Sequence, residues 1–286
     1  MSSASLSPEL AERYAQLRAT ISASERAIVA FSGGVDSSLV AWVSGDVLGT
    51  NAVAVTSASP SLKRSDLALA EDLAARWGLT HRIIHTDELS KADYRANPVN
   101  RCFHCKSSLY EALTTMAERE SIPTIFSGTN LDDLGDHRPG LQAAANYAIR
   151  APLSECGFSK ADIRALATYL GLENAQKPQS ACLSSRFPYG TAIDEQKLAQ
   201  VEAAEDWLAA QGFSQYRVRH HGDLARVELP PADFPRALEL AQAMQDALVA
   251  LGYRYVALDL KGFRSGSLNE GLTPVETFIP AVHLDD

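Results

Sequence analysis

The segment that most restricts the fold is a glycine-rich loop between an apolar run and an amphipathic stretch. The apolar run at 26–31 (RAIVAF) predicts a buried strand, and the periodicity of Ser37–Leu48 predicts a helix. Paired glycines let the backbone of such a loop turn tightly and approach an anion closely. The helix start beyond the loop supplies unpaired N–H groups and a partial positive charge. The residues that would form this phosphate-binding loop are Ser32, Gly33, Gly34, Asp36, Ser37 and Ser38.

The loop lacks the Gly-Lys-Ser/Thr ending of a Walker sequence, which excludes an ordinary P-loop NTPase. A glycine-rich strand–helix turn with incidental serines remains the structural alternative. Further short apolar runs at 51–56, 81–85 and 123–127 alternate with helical periodicity at 63–77 and 106–120. This alternation predicts an α/β fold, a parallel sheet with helices on both faces.

A second, smaller domain is predicted after an irregular segment at 173–191 that is rich in Ser and Pro. Here the pattern predicts a helix at 194–211, strands at 215–220 and 224–229, a helix at 233–251 and a strand at 253–259. At roughly 100–200 residues a domain, 286 residues suit two domains. We therefore expect an α/β domain over 1–176 and a C-terminal α+β domain over 177–286, the latter suited to substrate contact or oligomerisation.

Composition excludes several classes of protein. Thirty-five Asp and Glu against 26 Lys and Arg give a net charge of −9, which argues against a general nucleic-acid-binding protein. No run of about eighteen apolar residues predicts a membrane span. The N-terminal residues do not resemble a signal peptide, and four irregularly spaced cysteines do not describe a disulfide scaffold. We expect a cytoplasmic protein with reduced thiols.

An Asp-rich loop follows the predicted strand at 123–127, and its sequence over 128–140 is GTNLDDLGDHRPG. Ligands bind at the carboxyl ends of strands in parallel sheets, so this loop is a candidate part of the site. A solvated acidic loop is the alternative.

The cysteines differ in their surroundings. Cys182 lies in the irregular segment between Lys177 and Arg186, where nearby cations favour the nucleophilic thiolate. A buried, inert thiol is an equally weighted alternative. Cys102 and Cys105 form one CxxC without a second pair, so a structural thiol pair is favoured over a metal or redox site.

The segment SGGVDS resembles the PP-loop of the ATP pyrophosphatase superfamily, whose members convert ATP to AMP and pyrophosphate. The resemblance implies that the loop serines, glycines and Asp36 hold the pyrophosphate end of ATP with Mg²⁺ nearby, Asp36 being a candidate metal ligand. It also implies that the Asp-rich loop lines the nucleotide pocket. There Asp132 or Asp133 would serve a metal or the ribose, Arg138 would serve a phosphate, and Gly128 and Thr129 would also belong to the nucleotide-binding residues.

A longer series of motifs, in chain order, resembles the LarE-type ATP-dependent sacrificial sulfur transferases. These motifs are SGGVDSSLVA, NPVNRCFHCK, GTNLDDLGDHRPGL, RAPLSE, ACLSSRFPYG, RVRHHGDLARVE and LDLKGFRSGS. The resemblance implies adenylation of a carboxylate of a pyridinium biscarboxylic acid mononucleotide. It then implies attack by Cys182 and carbon–sulfur cleavage that leaves dehydroalanine. The product would lead to the nickel-pincer nucleotide cofactor of lactate racemase.

The same resemblance implies roles for charged residues of the second domain. Arg217 and Arg219, which alternate along one strand, would bind the substrate phosphate or AMP, and Arg264 would be a further active-site arginine. Glu228 and Glu205 would belong to an acidic or metal-binding group near Cys182. A homo-oligomer, often a hexamer in the family, is also implied.

Three alternatives stay open. Some family members hold a [4Fe–4S] cluster on three cysteines. Ser184 and Ser185 after Cys182 favour the sacrificial route, although Cys102, Cys105 and Cys182 could still form such a triad. Another PP-loop enzyme, such as a tRNA thiolase or an amidotransferase-type adenylating domain, is disfavoured by the acidic charge and the lack of a glutaminase domain. A nucleotide-binding sensor without turnover would not need Cys182.

Overall fold

The computed structural model describes residues 6–134, 139–264 and 266–269, and the chain divides into two compact units. Unit 1 contains the described residues of Met1–Glu88 and Cys102–Ser180, and unit 2 those of Leu89–Arg101 and Ala181–Asp286. The expected domain boundary between 176 and 177 lies just before the end of unit 1. The 89–101 segment, which chain order alone would assign to the first domain, belongs to unit 2.

Unit 1 is built on a parallel sheet, which confirms the predicted fold class. Its strands are β1 (Ala27–Ala30), β2 (Ala52–Ser57), β3 (Thr80–Ile84) and β4 (Thr124–Phe126). Their order is β3-β2-β1-β4, and all the pairs are parallel. Each strand lies where its apolar run predicts it, because β-rich apolar runs bounded by turn residues suit a sheet that is buried on both faces.

The helices of both units, in chain order over the described residues, are α1 (Pro8–Ser22), α2 (Val35–Leu48), α3 (Arg64–Arg76), α4 (Ala92–Arg95), α5 (Arg101–Glu120), α6 (Leu131–Leu134), α7 (Pro139–Asn146), α8 (Pro152–Glu155), α9 (Lys160–Tyr169), α10 (Glu195–Ala210), α11 (Phe234–Glu239) and α12 (Ala241–Ala250).

Helices of unit 1 cover both faces of the parallel sheet. Val29 of β1 packs in a core with α1, α2 and α9, whereas its neighbour Ile28 packs in a second core with α5. This alternation follows from the two-residue period of a strand.

Local sequence signals set several helix ends in unit 1. Ser7 caps α1 by accepting from the Leu10 N–H at 3.2 Å, and a proline occupies the first turn. Ser159 and Asp162 form a reciprocal capping box at α9, as their three-residue spacing predicts. This second cap matters for the site, because Lys160 is the first residue of α9.

Unit 2 contains a smaller mixed sheet of β5 (Arg217–His221), β6 (Leu224–Glu228) and β7 (Tyr255–Leu258). β5 pairs antiparallel with β6, and β6 pairs parallel with β7. The prediction of one helix over 233–251 is wrong, since α11 and α12 are separate. Leu240 separates them with a φ of −93° and a ψ of 6°, and its carbonyl accepts from the Met244 N–H at 2.8 Å. One apolar face suits either arrangement, so periodicity alone does not predict the break.

The described part of the chain contains no helix with the length and apolar character that crossing a membrane requires.

Candidate active site

The glycine-rich loop joins β1 to α2 and is closed by its own serines. Gly33 has a φ of 68°, a left-handed conformation that favours glycine. Ser37 Oγ accepts from the Ser32 N–H at 3.2 Å and donates to the Gly34 carbonyl at 3.0 Å. Gly34 caps α2 without a side-chain hydrogen bond. The first turn of α2 is therefore open to an anion.

The loop after β4 lies against the first turn of α2. A Cβ at Gly128 would lie 2.6 Å from the Ser37 nitrogen and 2.9 Å from the Ser37 Cα, and both are backbone atoms. Glycine is therefore required at this approach. The contact brings Gly128 beside the phosphate loop, and Thr129 follows it with its Oγ1 3.2 Å from the Ser127 hydroxyl.

Gly128→Ala is expected to lower both the free energy of unfolding, by about 1–3 kcal/mol as for overpacking, and the affinity for ATP. Urea denaturation and calorimetric titration with ATP measure the two effects. Gly140→Ala is the matched control, because the nearest atom to its Cβ would belong to the flexible Lys106 side chain, at 3.2 Å, and the nearest backbone atom would lie 4.0 Å away. A Gly128→Ala protein that binds ATP and unfolds like the parent would contradict the proposed close approach.

Asn174 holds the phosphate loop from a distant part of the chain. Its side chain is buried, and Nδ2 donates to the Gly33 carbonyl at 2.9 Å and to Ser38 Oγ at 2.7 Å. Sequence reasoning missed this residue, because a single Asn in an irregular segment carries no local signal of such a contact.

Asp36, at the start of α2, pairs with Lys160, the first residue of α9. Lys160 Nζ lies 2.7 Å from Asp36 Oδ1. Burial raises the pKa of the Asp36 carboxyl, and the hydrogen bond from Lys160 opposes that rise. Lys160 was not among the predicted site residues, because its place after the Ser159 helix cap indicates a helix start but not a contact with Asp36, which lies 124 residues away in the chain.

The two neighbouring carboxylates of the Asp-rich loop accept backbone hydrogen bonds within unit 1. Asp132 Oδ2 accepts from the Lys160 N–H at 2.7 Å, and Asp133 Oδ2 accepts from the Asn130 N–H at 3.1 Å. The like charge of Asp133 contributes to the raised pKa of Asp36, so these groups belong to one cluster at the carboxyl ends of β1 and β4. Arg138 lies outside the described residues.

Cys182 is presented in unit 2 at the start of a 3-10 turn over Leu183–Arg186. Its side chain is partly exposed. The Cys182 carbonyl accepts from the Ser185 N–H at 3.0 Å, from Ser185 Oγ at 2.7 Å and from Arg186 Nη1 at 3.1 Å. The backbone at the proposed nucleophile is therefore held by three donors.

Arg186 is buried beneath this turn in a two-point ion pair with Glu205. Nε lies 2.8 Å from Glu205 Oε1 and Nη2 lies 2.9 Å from Oε2, and the two side chains are 3% and 1% exposed. Nη1 donates to the Ala181 carbonyl at 2.8 Å, and Glu205 Oε1 also accepts from the Val218 N–H at 3.1 Å. A buried charge pair of this kind is stable when its remaining donors and acceptors are satisfied, as here.

A second buried pair supports the other end of the turn. Arg219 is 2% exposed, and its Nε and Nη2 lie 3.0 Å and 2.9 Å from the two oxygens of Glu228. Arg219 Nη1 donates to the Ser185 carbonyl at 2.6 Å, and Nη2 donates to Ser267 Oγ at 2.6 Å. Arg226 Nη2 adds a third contact to Glu228 at 3.2 Å.

Glu205 and Glu228 were predicted to form an acidic or metal-binding group, and the structure gives both carboxylates to arginines. The described residues also contain no cluster of three or more His, Cys, Asp and Glu side chains suited to a metal ion. Carboxylates already engaged in two-point pairs with guanidinium groups do not fit a divalent cation, which needs their lone pairs. In the described residues Glu205 and Glu228 are therefore partners of Arg186 and Arg219 rather than members of a preformed metal cluster.

The side chains of Arg217 and Arg264 are more exposed to solvent than that of Arg219. Arg217 stacks on the Phe263 ring, 4.8 Å from its centroid, and donates to the Arg264 carbonyl at 3.3 Å. Burial, and the neighbouring guanidinium groups of Arg186 and Arg219, lower the pKa of Arg217. Arg264 Nη1 donates to the Gly262 carbonyl at 2.7 Å, and its side chain is 25% exposed. Unit 2 thus concentrates positive charge beside the Cys182 turn.

The 89–101 segment braces the same turn within unit 2. Tyr94 Oη lies 2.6 Å from Ser184 Oγ, and Arg101 Nη1 donates to the Ser184 carbonyl at 2.8 Å. Asn97 Nδ2 donates to the Pro188 carbonyl at 2.8 Å. Sequence reasoning did not connect this segment with Cys182, because more than eighty residues separate Tyr94 and Arg101 from their contacts at Ser184.

Cys102 and Cys105 lie at the second and fifth positions of α5, which begins at Arg101, and neither forms a disulfide. Cys102 is exposed and Cys105 is half-buried. They belong to unit 1, whereas Cys182 belongs to unit 2. Cys156 is buried, with its Sγ 3.5 Å from Thr20 Oγ1, and burial raises its pKa.

His220 links the stability of unit 2 to pH. Its Nδ1 accepts from the Gly222 N–H at 3.2 Å, which requires the neutral ring, and burial lowers its pKa from an ordinary value near 6.5. The unfolded chain binds a proton on His220 more readily than the folded chain, so the histidine's contribution to stability is complete above pH 6.5 and falls as the pH drops below it.

Urea denaturation at pH 7 and pH 5 should show a decline in the free energy of unfolding that is smaller in His220→Phe than in the parent. An equal decline in both proteins would contradict the buried neutral histidine.

Comparison with known proteins identifies the group to which these features belong. A model of the NAD synthase family matches residues 10–102, which include the phosphate loop. An uncharacterised protein from Synechocystis sp. is 44% identical over 270 residues, covering 92% of this chain and 99% of its own. A tRNA-specific 2-thiouridylase from Azorhizobium caulinodans is 28% identical, covering 64% of this chain and 57% of its own.

The pyridinium-3,5-bisthiocarboxylic acid mononucleotide synthase of Lactiplantibacillus plantarum is 40% identical over 268 residues, covering 93% of this chain and 97% of its own. This similarity covers nearly the whole chain rather than the nucleotide-binding unit alone. The chain is an enzyme of the PP-loop class, and it belongs to the LarE-type sulfur transferase family.

Proposed function

We propose that this protein transfers the sulfur of Cys182 to an adenylated carboxylate of a pyridinium biscarboxylic acid mononucleotide, in nickel-pincer cofactor synthesis. The observation that carries the proposal is the Cys182 turn, a partly exposed thiol on a backbone held by two buried arginine pairs. The whole-length similarity to the synthase supports the substrate class. Unit 1 acts as the ATP pyrophosphatase domain, and unit 2 acts as the sulfur-donor and substrate domain.

In the ATP half of the reaction, the glycine-rich loop binds the pyrophosphate end of the nucleotide. Its candidate donors are backbone N–H groups and the hydroxyls of Ser32, Ser37 and Ser38, of which Ser37 would have to turn away from the Gly34 carbonyl. Gly128 lies beside the loop, and Thr129 follows it in the chain. Asp132 and Asp133 are candidates for the ribose side. Mg²⁺ brought with ATP would neutralise phosphate charge and would need one or two carboxylates from the protein. Asp36 fits that demand, because the Lys160 ammonium group that pairs with it can transfer to a phosphate.

In the sulfur half, adenylation makes a poor electrophile reactive. The Cys182 thiolate adds to the activated carbonyl carbon, and AMP leaves, which gives a thioester. Removal of the Cys182 α-proton then breaks the Cβ–S bond, so the electron pair stays on sulfur and residue 182 becomes dehydroalanine. Each protein molecule donates one sulfur.

The arginines of unit 2 have two different roles in this proposal. Arg217 and Arg264 are the candidates to bind the substrate phosphate, because their guanidinium groups are only partly buried. Arg219, which is 2% exposed and paired with Glu228, is a positioning residue for the Cys182 turn. The protein is also proposed to form a homo-oligomer, and a hexamer is the predicted size. Light scattering would measure the molar mass of the assembly.

A tRNA thiolase is the second candidate function, and the partial similarity to a 2-thiouridylase favours it. The net charge of −9 speaks against a general tRNA footprint. The test is incubation with ATP, Mg²⁺ and either the pyridinium biscarboxylic acid mononucleotide or unfractionated tRNA, followed by mass spectrometry of the products. We expect thiocarboxylated mononucleotide with AMP and pyrophosphate. Thiolated tRNA without a thiocarboxylate would overturn the proposal.

A further inference from the structure

During carbon–sulfur cleavage, negative charge develops on one backbone atom of the protein and has to be stabilised. Removing the α-proton of Cys182 develops negative charge on its Cα, and the adjacent amide carbonyl takes up that charge as an enolate. The carbonyl oxygen of residue 182 is therefore a reacting atom. Such a step is accelerated when fixed donors already point at the oxygen on which charge develops.

The structure supplies those donors. Around the Cys182 carbonyl oxygen lie the Ser185 N–H at 3.0 Å, Ser185 Oγ at 2.7 Å and Arg186 Nη1 at 3.1 Å. We propose that the Ser185 amide, the Ser185 hydroxyl and the Arg186 guanidinium form an oxyanion site that stabilises the enolate of Cys182 during sulfur release. The inference rests on the proposed function and assigns residues to its elimination step.

The donors form a charge-assisted chain. Arg186 Nη1 also donates to Ser185 Oγ at 2.9 Å, and that hydroxyl donates in turn to the Cys182 carbonyl. A hydroxyl polarised by a guanidinium group is a stronger donor than an isolated one. Glu205 holds Arg186 by two contacts from its opposite edge, so the third guanidinium nitrogen remains directed at the turn.

The turn is also fixed at its other carbonyls. Arg186 donates to the carbonyl of Ala181, Arg101 to that of Ser184 and Arg219 to that of Ser185, at 2.8, 2.8 and 2.6 Å. All three arginines are buried. Because the backbone on both sides of Cys182 is held, the donors need little rearrangement when the charge develops. This preorganisation is what distinguishes an oxyanion site from an ordinary turn.

The step balances without a further reactant. A base removes the Cα proton, the electron pair passes to the Cys182 carbonyl oxygen, and its return forms the Cα–Cβ double bond as the Cβ–S bond breaks. The sulfur leaves as the thiocarboxylate of the substrate. Nothing is oxidised or reduced by an outside reagent, and AMP has already left in the preceding step.

Ser185→Ala tests the assignment, because it removes the hydroxyl and keeps the amide. In a single turnover with ATP, Mg²⁺ and the pyridinium substrate, acid-quenched samples are analysed by intact-protein mass for free thiol, thioester adduct and dehydroalanine. We expect thioester formation at nearly the parent rate, cleavage slowed about 10²-fold as for loss of one oxyanion donor, and accumulation of the adduct. Ser185→Thr keeps an Oγ and should restore most of the cleavage rate.

Ser184→Ala is the matched control, since its hydroxyl lies on the same turn but contacts Tyr94 Oη at 2.6 Å. Its two steps should keep the parent ratio. The inference is overturned if Ser185→Ala slows both steps equally, blocks thioester formation or leaves cleavage unchanged. A parent protein that forms neither thioester nor dehydroalanine would instead refute the proposed function, and the inference would fall with it.

Discussion

Cys182→Ala is expected to abolish thiocarboxylate formation completely while AMP and pyrophosphate are still released in the presence of substrate. The reason is chemical, because the sulfur of the product is the sulfur of this side chain and no other group can replace it. The phosphate loop, Asn174 and Lys160 all belong to unit 1 and are untouched by the change. Without the thiolate, the acyl adenylate meets only water and is hydrolysed. Nucleotide analysis and mass spectrometry of the small molecules measure the two halves.

Two control variants separate this result from a general loss of thiols. Cys156→Ala removes a buried thiol that contacts Thr20, and it should form product like the parent. The double variant Cys102→Ala and Cys105→Ala should also remain active if the route is sacrificial. Product formation that disappears in this double variant would favour the cluster-dependent version, and product from Cys182→Ala would exclude Cys182 as the donor.

Glu205→Ala is expected to lower the free energy of unfolding by about 3–5 kcal/mol, because it leaves the buried Arg186 guanidinium without its partner. Arg186 and Glu205 are 3% and 1% exposed, so solvent cannot compensate for the loss. The exposed helical pair of Arg76 and Asp72 is the comparison, and Asp72→Ala should cost only about 0.3–0.5 kcal/mol. Urea denaturation, followed by far-UV circular dichroism, gives both values.

A double variant separates the cost of leaving one buried charge unpaired from the cost of losing the whole ion pair. Arg186→Met with Glu205→Leu removes both charges, so it should cost less stability than Glu205→Ala alone. Carbon–sulfur cleavage should nevertheless be slowed about 10²-fold or more, because the Cys182 carbonyl no longer receives the Arg186 donor. A Glu205→Ala protein as stable as Asp72→Ala would contradict the buried pair as a structural anchor.

Sequence reasoning located the strands of the parallel sheet because each one is a short apolar run bounded by turn residues. The phosphate loop was also predictable, since Gly33 and Gly34 stand directly between a strand and a helix. By contrast, the break at Leu240 was not, because one apolar face is compatible with one helix or two. Local patterns therefore predict elements and their termini when the signal is contiguous.

Contacts between distant parts of the chain were beyond such patterns. Alternation placed Arg217 and Arg219 on one strand face, but it could not show that Arg219 is turned into a pair with Glu228 while Arg217 stacks on Phe263. Likewise, the sequence around an acidic residue such as Glu205 is compatible with a metal ligand and with an ion-pair partner, because it does not show which side chain lies next to the carboxylate. The bracing of the Cys182 turn by the 89–101 segment depends on the tertiary fold alone.

The central claim is that Cys182 is itself the sulfur donor and is spent in the reaction. The most direct test is the intact mass of the protein after incubation with ATP, Mg²⁺ and the pyridinium biscarboxylic acid mononucleotide, with peptide mapping of the region around residue 182. We predict the loss of one H₂S for each thiocarboxylate formed, located at Cys182 as dehydroalanine. Repeated product formation by a protein of unchanged mass would contradict the account.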